Sequence, residues 1–437
     1  MNLFTYLCTL YTKSVYETMK RICLTFFLLL MTSTLSVFAE NGMNSPYTRF
    51  GFGQLASLDL GFSKAMGGTG IGIRNSNQIN LLNPAAYSSV DTLTFIMDMG
   101  LSLQNTNFAE NNVRRNARNT TFDYISMQYR LRKGLGMTLG FVPFSNVGYE
   151  YSNTGTIRDD EDGIVTTTNK FSGNGGVSRI MTGLGWEPIK GMSLGANVSY
   201  LYGSIQHYVY NQYNESTISA RTKLYTADYS TVTFDFGAQA HFEKGKNQFC
   251  IGATYALGKS FANRPYIVDY IVTGNLATSA DTMWCKPFST PESYGAGFSY
   301  KYDDRLTIAA DYSIQQYGSV LFFNVLGTNR HRASIGVEYI PENYSRKFFR
   351  RMHYRAGLHY ATSYYSINGV DGPNEYGASI GLGIPIINSY NQRSTINVSG
   401  QVIHQQPSLP GMITENYMRL NISVSFIENW FSKWRVN

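Results

Sequence analysis

The sequence predicts an all-β protein: a transmembrane antiparallel β-barrel of about 14 strands, with an N-terminal plug, or hatch, in its lumen. Three observations point there. Apolar and polar residues alternate with period two in segment after segment. The breaks between those segments are by turns tight and long. Charge is scarce while aromatic residues are abundant: 15% of residues are charged, against ~25% in ordinary soluble domains, and there are 33 Tyr and 41 Gly.

The alternation is clearest near the C-terminus, where Met418, Leu420, Ile422, Val424 and Phe426 enclose Arg419, Asn421, Ser423 and Ser425. Leu306, Ile308, Ala310 and Tyr312 repeat the pattern, as do Met192, Leu194, Ala196, Val198 and Tyr200, and Ala333, Ile335, Val337 and Tyr339. Period two puts one set of side chains on each face of a strand. Fourteen strands are expected at 92–104, 120–132, 135–149, 175–187, 191–205, 228–243, 247–260, 292–302, 305–317, 329–340, 350–365, 375–386, 393–404 and 416–427. The connections at Lys133-Gly134, Pro188-Ile189-Lys190, Lys244-Gly245-Lys246 and Asp303-Asp304 are tight, whereas 105–119, 150–174, 206–227 and 261–291 are long and polar. Short turns on one side and long loops on the other mark an outer-membrane barrel.

Residues 1–39 read as a signal peptide. Met19-Lys20-Arg21 is basic, Ile22 to Met31 is apolar, and Ser36-Val37-Phe38-Ala39 suits cleavage, so Met19 is a candidate true start. The other reading of this stretch is an N-terminal membrane anchor. Beyond Ala39 no apolar run approaches the ~18–20 residues a spanning helix needs, so a membrane-embedded chain would have to be a closed barrel. The expected layout is 40–91 plug, starting on the periplasmic side, 92–427 barrel, and 428–437 periplasmic tail. The apolar set should face lipid, and Asp235, Asp311, Glu338, Asn397 and Gln401 should face the lumen. The competing architecture is a soluble β-sandwich with its apolar face inward.

Chemistry-bearing patterns are few. The formal charge of +7 is spread along the chain and predicts no nucleic-acid partner. Gly68-Thr69-Gly70-Ile71-Gly72 lacks the strand before and helix after that a phosphate loop needs. The six His show no metal spacing, no G-x-S-x-G occurs, and no catalytic constellation, cofactor or metal site is expected, hence no enzyme. Asp159-Asp160-Glu161-Asp162-Gly163 is either a calcium loop or a solvated tip. Outside the leader only Cys250 and Cys285 remain. They form either a disulfide, if the loop bearing Cys285 folds into the lumen, or two separate thiols.

Pro143 stands in the third strand, and lacking an N–H it marks a bulge or interruption. The parity breaks there: Met137, Leu139 and Phe141 fall on the lipid set, Phe144 on the lumen set, and Val147 and Tyr149 on the lipid set again.

The run Ala65-Met66-Gly67-Gly68-Thr69-Gly70-Ile71-Gly72, then Asn83-Pro84-Ala85, then fourteen alternating strands resembles the long-chain fatty-acid transporter (FadL-type) outer-membrane family. The closing Phe426 and the tail Trp430-Phe431-Ser432-Lys433 resemble the Bacteroidetes variant of that family. The resemblance implies a Gram-negative outer membrane, passive uptake of a fatty-acid-like hydrophobic small molecule, contact with outer-membrane lipid, and a monomer. It also implies an inward kink of the third strand that opens a lateral exit, with Phe141, Pro143, Phe144 and Val147 beside it and Asn83, Pro84 and Ala85 of the plug as its neighbours; Gly67, Gly68 and Gly70 belong to the same plug. A related branch serves the type IX secretion system. The second functional reading is therefore a barrel that docks secreted cargo or a protein partner through its extracellular loops.

Overall fold

The computed structural model describes residues 43–92, 94–110, 112–159, 163–214, 219–273, 276–342, 345, 347–386, 394–408 and 411–429. The leader 1–39, the carboxylates Asp160, Glu161 and Asp162 and the tail 430–437 lie outside these residues.

Fourteen strands make one closed antiparallel sheet: β1 (Thr94–Glu110), β2 (Val113–Arg132), β3 (Leu135–Asp159), β4 (Gly163–Ile189), β5 (Met192–Tyr213), β6 (Ala220–Lys244), β7 (Asn247–Ala256), β8 (Ser293–Tyr302), β9 (Leu306–Gln315), β10 (Arg330–Tyr339), β11 (His353–Ala361), β12 (Asn374–Pro385), β13 (Thr395–Gln406) and β14 (Thr414–Asn429). Each pairs with the next, and β14 returns to β1 in unbroken register from Thr94↔Asn429 to Ala109↔Thr414. The tight turns fall where the sequence places them. Asp303 and Asp304 take φ of 52° and 53° in the three-residue connection between the paired Tyr302 and Leu306, a left-handed conformation that Asp tolerates in tight turns.

The alternation sorts the faces. On β5, Leu194 and Val198 are 54% and 43% exposed while Asn197 and Ser199 are 1% and 0%. Across the barrel the exposed large apolar residues form an outward band, and buried Asp98, Gln128, Thr138, Asn197, Gln239, Glu338, Asn397 and Gln401 face inward. A band of that kind with a polar interior is what lipid outside and protein or water inside select.

The strands outrun the expectation at the long-loop end. The stretches 105–119, 150–174 and 206–227 are not loops but continuing ladders, paired to Glu110↔Val113, Asp159↔Gly163 and Asn211↔Arg221. These extensions carry Thr, Asn and Tyr on both faces, so they show no apolar stripe, yet such residues pair well in strands. The stretch 261–291 holds a hairpin, Tyr266–Thr273 and Leu276–Trp284, laid on the edge of β6 from Tyr266↔Thr226 to Val272↔Ala220. Arg221 fixes it with two hydrogen bonds to Asp269, 2.7 and 2.6 Å. The guanidinium holds the Asp269 carboxyl below its ordinary range, first by hydrogen bonding. The strand expected at 350–365 starts only at His353, after a helical turn, Phe348–Arg351. The last strand runs two residues past 427, to Asn429.

Residues 43–91 lie against the inward face of this wall. Gly61 N–H donates to the Tyr124 hydroxyl on β2 (2.8 Å) and Gly67 N–H to Ser379 on β12 (2.9 Å). Gly70 and Ile71 N–H both donate to Asp311 on β9 (2.6 and 2.8 Å). Gln401 on β13 donates to Lys64 O, and Ser299 on β8 to Gly72 O. Arg74 pairs with Glu187 on β4 at 2.5 Å. The wall makes room by glycine: a Cβ on Gly195 would stand 2.3 Å from the Pro84 carbonyl carbon, and one on Gly357 2.1 Å from that of Met66.

The segment's first residues are at the long-loop end, not the periplasmic one. Ser45 donates to Glu415 (2.8 Å), the Tyr47 hydroxyl to Ile413 O (2.5 Å), and Asn44 to Asn119 (2.8 Å). Ile413 and Glu415 lie at or beside the upper end of β14, and Asn119 lies in β2 above its ladder with β3.

Candidate functional site: a split between two strands

β2 and β3 share a ladder only from Arg132↔Leu135 up to Ile125↔Phe141. Above that pair β2 continues with β1 to Val113, and β3 continues with β4 to Asp159, with no β2–β3 pairing. Pro143 is part of the cause. Its ring removes the N–H that a ladder residue would offer, and the β3–β4 register slips between Pro143↔Ser178 and Ser145↔Val177, leaving Phe144 as the extra residue. A bulge bends its strand and sharpens the twist, which carries upper β3 away from β2.

The slip also inverts the faces. Below it Thr138 and Val142 are inward; beyond it Ser145, Val147 and Tyr149 are inward, at 0%, 0% and 5% exposure. The expectation that Val147 and Tyr149 return to the lipid set is therefore corrected. One inserted residue shifts a period-two pattern by one.

The edge that β3 thereby loses is taken up by the segment in the lumen. Gln54–Leu55 pairs with it antiparallel, Gln54↔Asn146 and Leu55↔Ser145, and Ala56 N–H donates to Phe144 O at 2.9 Å. Thr48 meets Gly148 N–H and C=O through its hydroxyl. Outward of this strand, the Phe122 and Phe141 rings stack across the split, centroids 6.1 Å apart.

Inside the split lies a cavity of about 340 Å³, lined by Leu55, Ala56, Phe122, Tyr124, Pro143 and Phe144 at this side and reaching Pro84 at the other. Its polar lining includes Arg179, Asn197 and Asp235. Arg179 sits over the Phe144 ring, 5.2 Å from its centroid. Arg179 Nε and Asp235 Oδ2 are buried without hydrogen-bond partners, whereas Asn197 is engaged by the buried Tyr87 hydroxyl. Lys64 and Asp123 form an ion pair at 2.6 Å on the cavity's border. An apolar approach that ends on unsatisfied polar groups suits a molecule with a hydrophobic body and one polar end.

Above the cavity an aromatic cluster fills the long-loop end. Phe52 is fully buried at its centre, with Phe144, Tyr229, Phe261, Phe288, Tyr317 and Phe322 around it at centroid distances of 5.1–6.4 Å.

The other residues singled out in the sequence are distributed as follows. Gly67 lies on Leu358 of β11 and Gly68 beside Arg332 and Asp59. Gly70 is bound to Asp311. Asn83 caps the turn Pro84–Ser89, accepting from Ala85 N–H at 3.1 Å and donating to Ile71 O and Ala238 O. Thus Asn83-Pro84-Ala85 seats the segment on β4–β6, and of these plug residues Gly68 and Pro84 line the cavity.

Cys250 and Cys285 are both free thiols, so the disulfide is not formed. Cys250 lies opposite His241. Cys285 N–H bonds to Pro265 O, next to Tyr266, which is opposite Thr226. Positions 226 and 241 of one strand are roughly 50 Å apart at ~3.3 Å per residue, while a disulfide needs Cα atoms within about 7 Å.

A family model described as BamG matches residues 19–437. No curated protein matches the chain by sequence. Solved structures share the fold. The toluene transporter TodX of Pseudomonas putida aligns at 16% identity and a TM-score of 0.57, covering 86% of this chain and 100% of its own. A Pseudomonas aeruginosa FadL homologue aligns at 11% and 0.57, covering 85% and 99%. The Ralstonia pickettii toluene transporter TbuX aligns at 14% and 0.51, covering 84% and 98%.

Proposed function

From the premise that the chain belongs to the BamG family, we propose that it is a Gram-negative outer-membrane barrel that passes small hydrophobic molecules from its interior sideways into the bilayer, through the split between β2 and β3. The observation that carries this reading is the end of the β2–β3 ladder at Ile125↔Phe141, with a cavity directly behind it. The alternative for the split, a harmless bulge at the rim, leaves the cavity unexplained. The cavity's size falls in the usual range for small-molecule sites, about 300–1,000 Å³. Structures of the same fold include two toluene transporters, a monoaromatic hydrocarbon channel and a FadL homologue. Phe122 and Phe141 would flank the exit. Residues 43–91 act as the plug, so that an apolar ligand leaves without crossing water while polar solutes are held back. The test is uptake of toluene and of a long-chain fatty acid, used as separate probes, by vesicles containing the purified full chain. Uptake above that of protein-free vesicles supports the proposal, and uptake of neither probe opposes it.

The second reading, docking of a protein partner, is favoured by a different observation. The extended ladders of β3–β6 and the added hairpin stand beyond the apolar band, and Met283 and Trp284 there are 57% and 58% exposed. A partner that co-purifies in stoichiometric amount and is lost on deleting 266–284 would favour docking.

A further inference from the structure

The outward face of the barrel carries a groove of about 760 Å³ across β12, β13, β14, β1 and β2, on the other side of the wall from the cavity and ending on β2, the strand that borders the split. The registers align its rows. One row reads Ile380, Gly400, Leu420, Leu103 and Thr120, and the next, toward the long-loop end, Ala378, Val402, Met418, Asn105 and Arg118. Ile380, Val402 and Met418 stand out at 70%, 57% and 54% exposure. Gly400 and Ala378 leave the floor between them low, and a Cβ built on Gly400 meets no atom within 4 Å.

The row above the groove is polar: Tyr376, His404, Asn416, Asn107 and Asn116. The groove therefore opens at the upper border of the apolar band. At that border β2 presents two exposed arginines on its outward parity, Arg118 in the groove's own lining and Arg114 two outward positions higher. These rows carry no carboxylate, and neither arginine has an ion-pair partner among the described residues. A flexible apolar chain fits the groove. A phosphate fits the arginines, whose forked guanidinium donors match phosphate oxygens better than an ammonium would.

We propose that this groove is a binding site for a phosphorylated glycolipid of the outer leaflet, with one acyl chain over Gly400 and its phosphate on Arg118. The proposal rests on the outer-membrane reading, because it needs the long-loop end to face the outer leaflet, but not on the transport reading.

The test uses the full chain in phosphatidylcholine nanodiscs, with monophosphoryl lipid A as the probe and its dephosphorylated form as the control, and native mass spectrometry to count retained lipid. Wild-type protein is expected to keep lipid A and release the control. Arg118→Gln should lower retention roughly tenfold, about one charge-assisted hydrogen bond. Gly400→Leu should do the same by filling the floor. Heat-modified gel mobility reports whether each variant is folded; if Gly400→Leu is not, Arg118→Gln decides alone. Equal retention of the two lipids, or undiminished retention by folded Arg118→Gln, overturns the site. Hydrocarbon uptake is scored on the same variants. If lipid retention falls while uptake is intact, the site stands and is separate from transport; if the variants keep lipid A, this proposal fails whatever the uptake.

Discussion

Ile125 on β2 and Phe141 on β3 are the last pair the two strands share. Two residues beyond Phe141 comes Pro143, and the register slips between Pro143 and Ser145. The wall thus opens where an imino acid and a bulge coincide, and the edge set free on β3 is bound by Gln54–Leu55 from the lumen. If the split is the exit proposed above, its opening requires that this short strand yield.

A reversible lock tests that requirement. Leu55 and Ser145 are antiparallel partners, so their Cα atoms stand about 4.5–5.5 Å apart, within disulfide reach. With Cys250 and Cys285 changed to Ser, the pair Leu55→Cys and Ser145→Cys should abolish hydrocarbon uptake when oxidised and recover it on reduction. Equal uptake in both states would show that the strand need not move.

The lumen segment should be held by shape at the wall glycines. Gly195→Val or Gly357→Val drives a side chain into the backbone of Pro84 or Met66, which overpacks the site by about 1–3 kcal/mol or more. Planar-bilayer conductance of either variant should rise toward that of a chain lacking 43–90. Wild-type conductance in the deletion would mean that these residues do not block the barrel.

Phe52 organises the aromatic cluster above the cavity. Phe52→Ala removes a fully buried ring with six aromatic neighbours and should cost about 3–5 kcal/mol. The expected sign is a lower temperature of heat modification on gels, with the barrel strands still formed by circular dichroism.

The outer hairpin should respond to acid. Pairing with Arg221 lowers the Asp269 carboxyl in the folded protein. Its contribution is therefore complete above the ordinary Asp value, about 3.9, and falls as pH drops through the lower folded value. Proteolysis by pepsin near 276–284 should accelerate as pH is lowered through that window, and Asp269→Asn should show the faster rate with a flatter pH profile. An unchanged profile would place the hairpin's anchorage elsewhere.

Much of the barrel can be read from residues alone, because lipid outside and polar contacts inside force period two on every strand. All fourteen strands, the tight turns and the inward Asp235, Asp311, Glu338, Asn397 and Gln401 follow from that rule. It fails where its cause is absent. Beyond the apolar band β3–β6 carry polar residues on both faces, even where the inner face is buried, as at Thr167, His207 and Thr226, so the extended ladders leave no apolar alternation to see. Past Phe144 the alternation survives but is shifted by one, and Val147 and Tyr149 are misassigned unless the bulge is placed first. The Phe52 cluster draws on residues from 47 to 365, and no local pattern joins them. The glycine cradle did leave a trace, since Gly195 and Gly357 each interrupt an otherwise regular strand where a side chain belongs.

The most direct measurement of the central claim is toluene uptake by vesicles bearing a variant with Pro143→Val and Phe144 deleted. Valine restores the missing N–H, and the deletion removes the extra residue at Pro143/Ser145, so β3 can run on beside β2. With the protein folded by heat-modified mobility, the account predicts uptake near that of protein-free vesicles. Uptake at the wild-type rate, from a barrel whose β2–β3 ladder has closed, would contradict it.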